Sequence, residues 1–246
     1  MPPRTVSERL GLLMRSVVQI IRHDLRFFGV TSTFHDMLIR AVNRIAFCKV
    51  LKVLKADCVD PRFFKLGPEY RAQFLTRSQT IELLDEPEFE VSESFLESAW
   101  QKGDECFGIF LGATLVSFGW YSIRTTETSD DLTISVPPGH VYIYKAYTSE
   151  KHRGRRLNAI GITLAMNTYL GNGYRAILSY VESNNFSSLN SFGRIGFHEI
   201  GRLWILRVMR RTIMFPSRGL TGSRIVFKNR PSGENREPLQ ACSSSS

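Results

Sequence analysis

From Cys106 to Ile123 the chain carries no charged residue, a run long enough to cross a bilayer as a helix. Its content points elsewhere. Phe107-Gly-Ile-Phe-Leu111 and Leu115-Val-Ser-Phe-Gly-Trp-Tyr121 flank Gly112-Ala-Thr114, which is the pattern of two strands about a glycine turn. The expectation is a buried β-hairpin, not a transmembrane helix. A chain of 246 residues with 43% hydrophobic content and 17 Phe can bury a core around it. That excludes a wholly disordered chain and the fibrous classes, and it fits one large domain with an accessory segment.

The four cysteines, Cys48, Cys58, Cys106 and Cys242, form no CxxC pair. Neither a zinc site nor a disulfide framework is signalled, and no metal is expected, so the default is a reduced, cytoplasmic chain. The net charge of +9 is uneven. Residues 1–55 hold ten bases against Glu8, Asp24 and Asp36, a local excess of +7, and Arg202 to Arg230 is basic again. Arg9, Arg15 and Arg22 break every N-terminal apolar run, so no secretory signal is read. The basic end makes an anionic membrane surface, at the inner face, a candidate partner through residues 1–55. Nucleic acid ranks lower, because the aromatic spacing gives no RNA-recognition signature.

Leu10, Leu13, Val17, Ile20, Ile21, Leu25 and Phe28 recur at helical spacing over residues 7–28, and a second amphipathic stretch starts near Thr33. Residues 1–48 therefore read as a basic helical appendage, 49–228 as the main domain and 229–246 as a disordered tail. Within the domain, Lys49 to Cys58 suits a strand, Pro61 to Lys102 reads as helices with Ser92 as N-cap and Gly103 as stop, and Thr125 to Pro138 reads as a loop. Strands are expected at 141–148, 176–181, 202–215 and 224–228, and helices at 157–170 and 187–195.

The most informative segment runs from strand 141–148 through Ser149-Glu-Lys-His-Arg-Gly-Arg-Arg156 into helix 157–170. A strand turning tightly into a helix leaves the first helical N–H groups unpaired, and with the helix dipole they attract phosphate. Arg153, Arg155 and Arg156 add charge at that mouth.

His152-Arg-Gly-Arg-Arg-Leu-Asn158 resembles the Arg/Gln-x-x-Gly-x-Gly/Ala pyrophosphate loop of GCN5-related N-acetyltransferases, with Arg156 and Asn158 where that family has its two glycines. Downstream, Asn185-Phe-Ser-Ser188, Ser191-Phe192 and Gly196-Phe197 match the family's second motif in spacing. The resemblance covers roughly residues 50–215. It implies a mixed α/β fold, with a mostly antiparallel central sheet, two splayed parallel strands and flanking helices. It implies acetyl-CoA or another acyl-CoA as co-substrate, its pantetheine lying between strands 141–148 and 176–181. Ala146, Tyr147, Thr148, Arg153, Gly154, Arg155, Arg156, Leu157, Asn158, Asn185 and Ser188 are then the cofactor-binding set. The implied activity is N-acyl transfer to a small-molecule or peptide amine.

The family's frequent tyrosine acid is replaced here by Phe192, which cannot give a proton. Tyr144 and Tyr147 are substitute donors, and Glu182 is a candidate base. Loops 61–91 and 124–140 are expected to wall the acceptor pocket. Two alternatives follow from the same residues. One is a non-catalytic acyl-CoA binder, suggested by Phe192, Arg156 and Asn158; the other is a membrane-associated module, suggested by the basic N-terminus.

Overall fold

A computed structural model describes residues 47–127, 132–208 and 211–229. The helices expected over 7–28 and from Thr33, and the tail beyond residue 229, lie outside the described residues. The uncharged run is a hairpin: β3 (Glu105–Leu111) and β4 (Thr114–Ser122) pair antiparallel around Gly112-Ala113. Gly112 has φ +60° and Ala113 does not share that sign, the pattern of a type II′ turn. Among the described residues no helix is long and apolar enough to cross a membrane.

Around this hairpin grows a sheet of eight strands. It takes in β1 (Phe47–Ala56), β2 (Tyr70–Phe74), β7 (His140–Thr148), β8 (Ala176–Glu182), β9 (His198–Val208) and β10 (Arg211–Pro216), in the order β10-β9-β1-β8-β7-β4-β3-β2. Every pairing is antiparallel except β7 with β8. One face packs α3 (Leu157–Gly171) through Ala159, Ile162, Ala165 and Met166 onto Ile143, Ile177 and Val181. Beside α3 on this face lies α4 (Phe186–Arg194), whose Leu189 and Phe192 rest on the same core. Towards the hairpin, α2 (Glu93–Lys102) buries Phe95, Leu96 and Ala99 against Trp120. The Ser92 hydroxyl accepts from Phe95 N–H at 3.2 Å, and Gly103 ends that helix at φ +74°, as the sequence predicts.

Two segments differ from expectation. Pro61 to Lys102 is not helical throughout: after a 3₁₀ turn at Pro61–Phe63, Tyr70–Phe74 forms β2 on β3, before the short α1 (Arg77–Ile81). A five-residue edge strand with mixed burial carries little alternation of its own, and its pairing with β3 decides it. Thr125 to Pro138 is not a plain loop either. β5 (Thr126–Glu127) and β6 (Leu132–Ser135) join β11 (Val226–Asn229) in a second, three-stranded sheet. Leu132 and Ile134 alternate inward and, with α5 (Arg218–Gly222) supplying Leu220, cover Leu51, Val53, Leu203 and Ile205.

Candidate active site

β7 and β8 bond only at His140↔Ala176, Val141↔Ile177 and Tyr142↔Leu178. Beyond Tyr142 they part: β7 runs on against β4 alone and β8 against β1 alone. One backbone edge of each strand is thus left without a strand partner among the described residues. The splay opens into a cleft of about 1360 Å³, whose lining includes Ala146, Tyr147, Thr148, Gly154, Leu157, Asn158, Asn185 and Ser188.

The turn at its mouth is built locally. Ser149 N–H donates to the Val116 carbonyl at 2.9 Å, tying the end of β7 to the hairpin, and Glu150–His152 makes one 3₁₀ turn. Gly154 (φ +77°) and Arg156 (φ 62°, ψ 15°) are both left-handed. For a residue with a Cβ this costs roughly 1–2 kcal/mol. Of the two residues standing at the family's glycine positions, Arg156 takes the left-handed conformation, whereas Asn158 sits inside α3. No side chain among the described residues caps α3, and its ladder begins at this end with Ile160 N–H donating to the Arg156 carbonyl at 3.0 Å. The N–H groups of Leu157, Asn158 and Ala159 precede the intrahelical ladder, and all three residues line the cleft. That is a fitted cradle for a pyrophosphate.

Arg153 lines the same mouth. Its guanidinium donates to the Thr148 carbonyl (3.4 Å), pairs with Glu150 (3.3 Å), donates to the Tyr147 hydroxyl (3.4 Å) and lies 5.6 Å from that ring's centroid. Arg155 turns away: its Nη1 donates to the Tyr70 hydroxyl at 2.9 Å, and it is not among the cleft-lining residues. Asn185 serves two ends at once, since its side-chain oxygen accepts from Ser188 N–H at 3.0 Å to cap α4 while the residue lines the cleft.

Of the expected proton-handling residues, the structure brings one into the cleft. Tyr147 is half-buried on Phe89 and Phe118. Burial, then the nearby Glu88 carboxylate, raise its phenol above the usual range, with Arg153 opposing. Tyr144 lies elsewhere: its hydroxyl donates to Asp104 at 2.9 Å, and burial above all pushes its phenol well up. Glu182 is tied to Lys49 at 2.7 Å and does not line the cleft. Phe192 is also absent from the lining, its ring edge-on to Phe197 at 4.8 Å, while Gly196 (φ +93°) turns the chain behind it.

Glu88 and Glu90, in the cleft wall, were missed from the sequence. Phe89 between them is buried against Phe118 and anchors the segment, and the Glu90 carbonyl accepts from Lys145 Nζ. The Glu86-Pro-Glu-Phe-Glu90 alternation was the only available signal. Loop 61–91 does wall the cleft, through Arg62, Phe63, Glu88 and Glu90; segment 124–140 does not, having gone into the second sheet. Among the described residues no group of three or more His, Cys, Asp or Glu could hold a metal.

A sheet parted between two parallel strands, above an uncapped helix N-terminus ringed with arginine, defines the acyl-CoA N-acyltransferase fold. Residues 72–197, about half of the chain, match the model of the Acetyltransferase (GNAT) family, and the chain belongs to that family. Among solved structures it is similar to a GNAT-family acetyltransferase from Novosphingobium aromaticivorans (16% identity, 69% of this chain and 66% of that one, TM-score 0.48). It is also similar to a GCN5-related N-acetyltransferase-like protein from Streptococcus suis (13%, 71% and 67%, TM-score 0.48). A third likeness is to an aminoglycoside acetyltransferase from an uncultured soil metagenomic sample (14%, 53% and 89%, TM-score 0.41). The chain spans about two thirds of the length of the first two. No curated protein matches it.

Proposed function

We propose that the protein transfers an acyl group, acetyl above all, from coenzyme A to an amine by direct attack within a ternary complex. The observation that carries this reading is the splayed β7–β8 pair opening onto the uncapped N-terminus of α3. Bound there, acyl-CoA supplies the activated thioester. The N–H groups of Leu157–Ala159, with Arg153 and Arg156, hold the pyrophosphate, and the edges that β7 and β8 turn towards the splay receive the amide-bearing arm.

Tyr147 is the proton donor in this reading. Its raised phenol stays neutral at physiological pH, so the hydroxyl is available to donate towards a departing thiolate, a role that Phe192 cannot fill. Glu88, whose charge is felt at Tyr147, and Glu90 attract a cationic amine to this part of the cleft and are placed to take its proton. The amine must be neutral to attack, so activity rises with pH as the ammonium deprotonates. The test is calorimetric titration with coenzyme A, followed by thiol release from acetyl-CoA over a panel of amines, amino sugars and basic peptides. Binding with turnover supports the reading, binding without any turnover leaves a non-catalytic acyl-CoA binder, and no binding refutes both.

A further inference from the structure

One wall of the cleft has no role in the acyl transfer described above. α4 rests Leu189 and Phe192 on the core. Its opposite face carries Ser187, Ser191 and Arg194 at i, i+4 and i+7, and all three line the cleft. From Ser187 to Arg194 the helix rises about 10 Å, so this polar stripe leads away from Asn185 along the cleft. α4 holds no Asp or Glu. Among the described residues, the Ser191 hydroxyl and the Arg194 guanidinium have no hydrogen-bond or ion-pair partner.

Charge sorts the walls. The carboxylates of the lining, Glu88, Glu90 and Glu150, come from the segment before α2 and from the mouth turn. A cationic amine is drawn to that side and repelled from α4. Of the other arginines in the lining, Arg153 pairs with Glu150 at 3.3 Å, and Arg62 is held by Asp60, Nη2 to Oδ2 at 2.6 Å. Arg156 stands at the α3 cradle, where the pyrophosphate is met. Arg194 is left over, on a different helix. Coenzyme A carries one further anion, the phosphomonoester at its ribose 3′ position, with about −1.5 to −2 charges at neutral pH. A guanidinium with a hydroxyl donor one helical turn before it matches that group in sign and in hydrogen bonding.

We infer that Arg194, with the Ser191 hydroxyl, is the subsite for the 3′-phosphate of coenzyme A and makes the protein prefer coenzyme A to its dephospho form. This subsite presupposes the acyl-CoA reading above and adds a specificity residue to it. Calorimetric titration compares coenzyme A with dephospho-coenzyme A, which lacks only that phosphate, on the wild type, Arg194→Ala and Arg194→Lys, with melting temperatures as a check on folding. The wild type should bind coenzyme A about tenfold more tightly than the dephospho form. Arg194→Ala should lose that factor by weakening coenzyme A alone, and Arg194→Lys should recover part of it. Equal affinity of the wild type for the two ligands overturns the inference and leaves the acyl-CoA reading standing. So does an Arg194→Ala protein that keeps the preference, or that weakens on both ligands alike. If neither ligand binds the wild type, the acyl-CoA reading fails and takes the subsite with it.

Discussion

Arg156 is held left-handed at the N-terminus of α3 and lines the cleft, so replacing it with glycine should move stability and affinity in opposite directions. Removing the Cβ relieves roughly 1–2 kcal/mol of backbone strain. Glycine gives back about 0.4–1 kcal/mol through the greater freedom of the unfolded chain. The balance is a gain near 0.5–1 kcal/mol, or about 1–4 °C in melting temperature for a domain of this size. The guanidinium is exposed in the free protein, so its contribution to holding a phosphate falls at the low end of the ~1.5–3 kcal/mol for charge-assisted bonds. That corresponds to about tenfold weaker binding of coenzyme A. Arg156→Ala separates the two effects, because it loses the charge but keeps the strain: the same loss of affinity, with no gain in stability. Scanning calorimetry and isothermal titration read both quantities. An Arg156→Gly protein that melts below the wild type, or binds coenzyme A as tightly, would refute the reasoning.

Tyr147→Phe should lower kcat by about 10²–10⁴ while leaving coenzyme A affinity within a few-fold, as measured by thiol release and titration. Glu88→Gln removes a negative charge that disfavours the phenolate, so the Tyr147 phenol should titrate lower and the alkaline limb of the kcat profile should move to lower pH. Arg153→Glu should weaken coenzyme A binding about tenfold or more by opposing the phosphates, whereas Arg155→Glu, at a side chain engaged with Tyr70, should leave it nearly unchanged. Phe192→Tyr should not change the rate, because that ring packs on Phe197 outside the cleft lining. Its cost is expected in thermal stability, about 1 kcal/mol or more for a hydroxyl placed beside core.

What the sequence disclosed depended on how far apart the deciding partners lie. The hairpin, the Ser92 and Gly103 caps and the strand–turn–helix at 140–171 rest on neighbours in sequence, and each was legible. β2 and the β5–β6 pair were not, because short strands owe their conformation to β3 and β11 and carry little preference alone. The site divides in the same way. The strand-to-helix turn at the cleft mouth was legible, since its glycine, its arginines and the helix start are contiguous. Arg155 and Tyr144 lie off the cleft lining, held by Tyr70 and Asp104, which are 85 and 40 residues away and so left no local signal. Glu182, the candidate base, is held by Lys49 on the neighbouring β1, a pairing distant in sequence. Glu88 and Glu90 reach the cleft only because Phe89 is buried between them, a fact of packing that no local pattern announces.

The place of β1 in the sheet order carries a consequence for how the protein is made. It is the first described strand, yet it lies between β8 and β9, which begin at residues 176 and 198. At roughly 5–20 residues per second on the ribosome, β1 waits about 6–24 s before β8 emerges. Meanwhile Leu51, Val53 and Leu54, fully buried at the end, have no strand to join. The half containing β2, β3, β4 and β7 can assemble while the chain is still being synthesised. The half containing β1 must close last, across long loops whose ordering slows the step. A nascent chain stalled before residue 176 would therefore expose β1 as an open, apolar edge, and that species is the one expected to recruit chaperones or to aggregate.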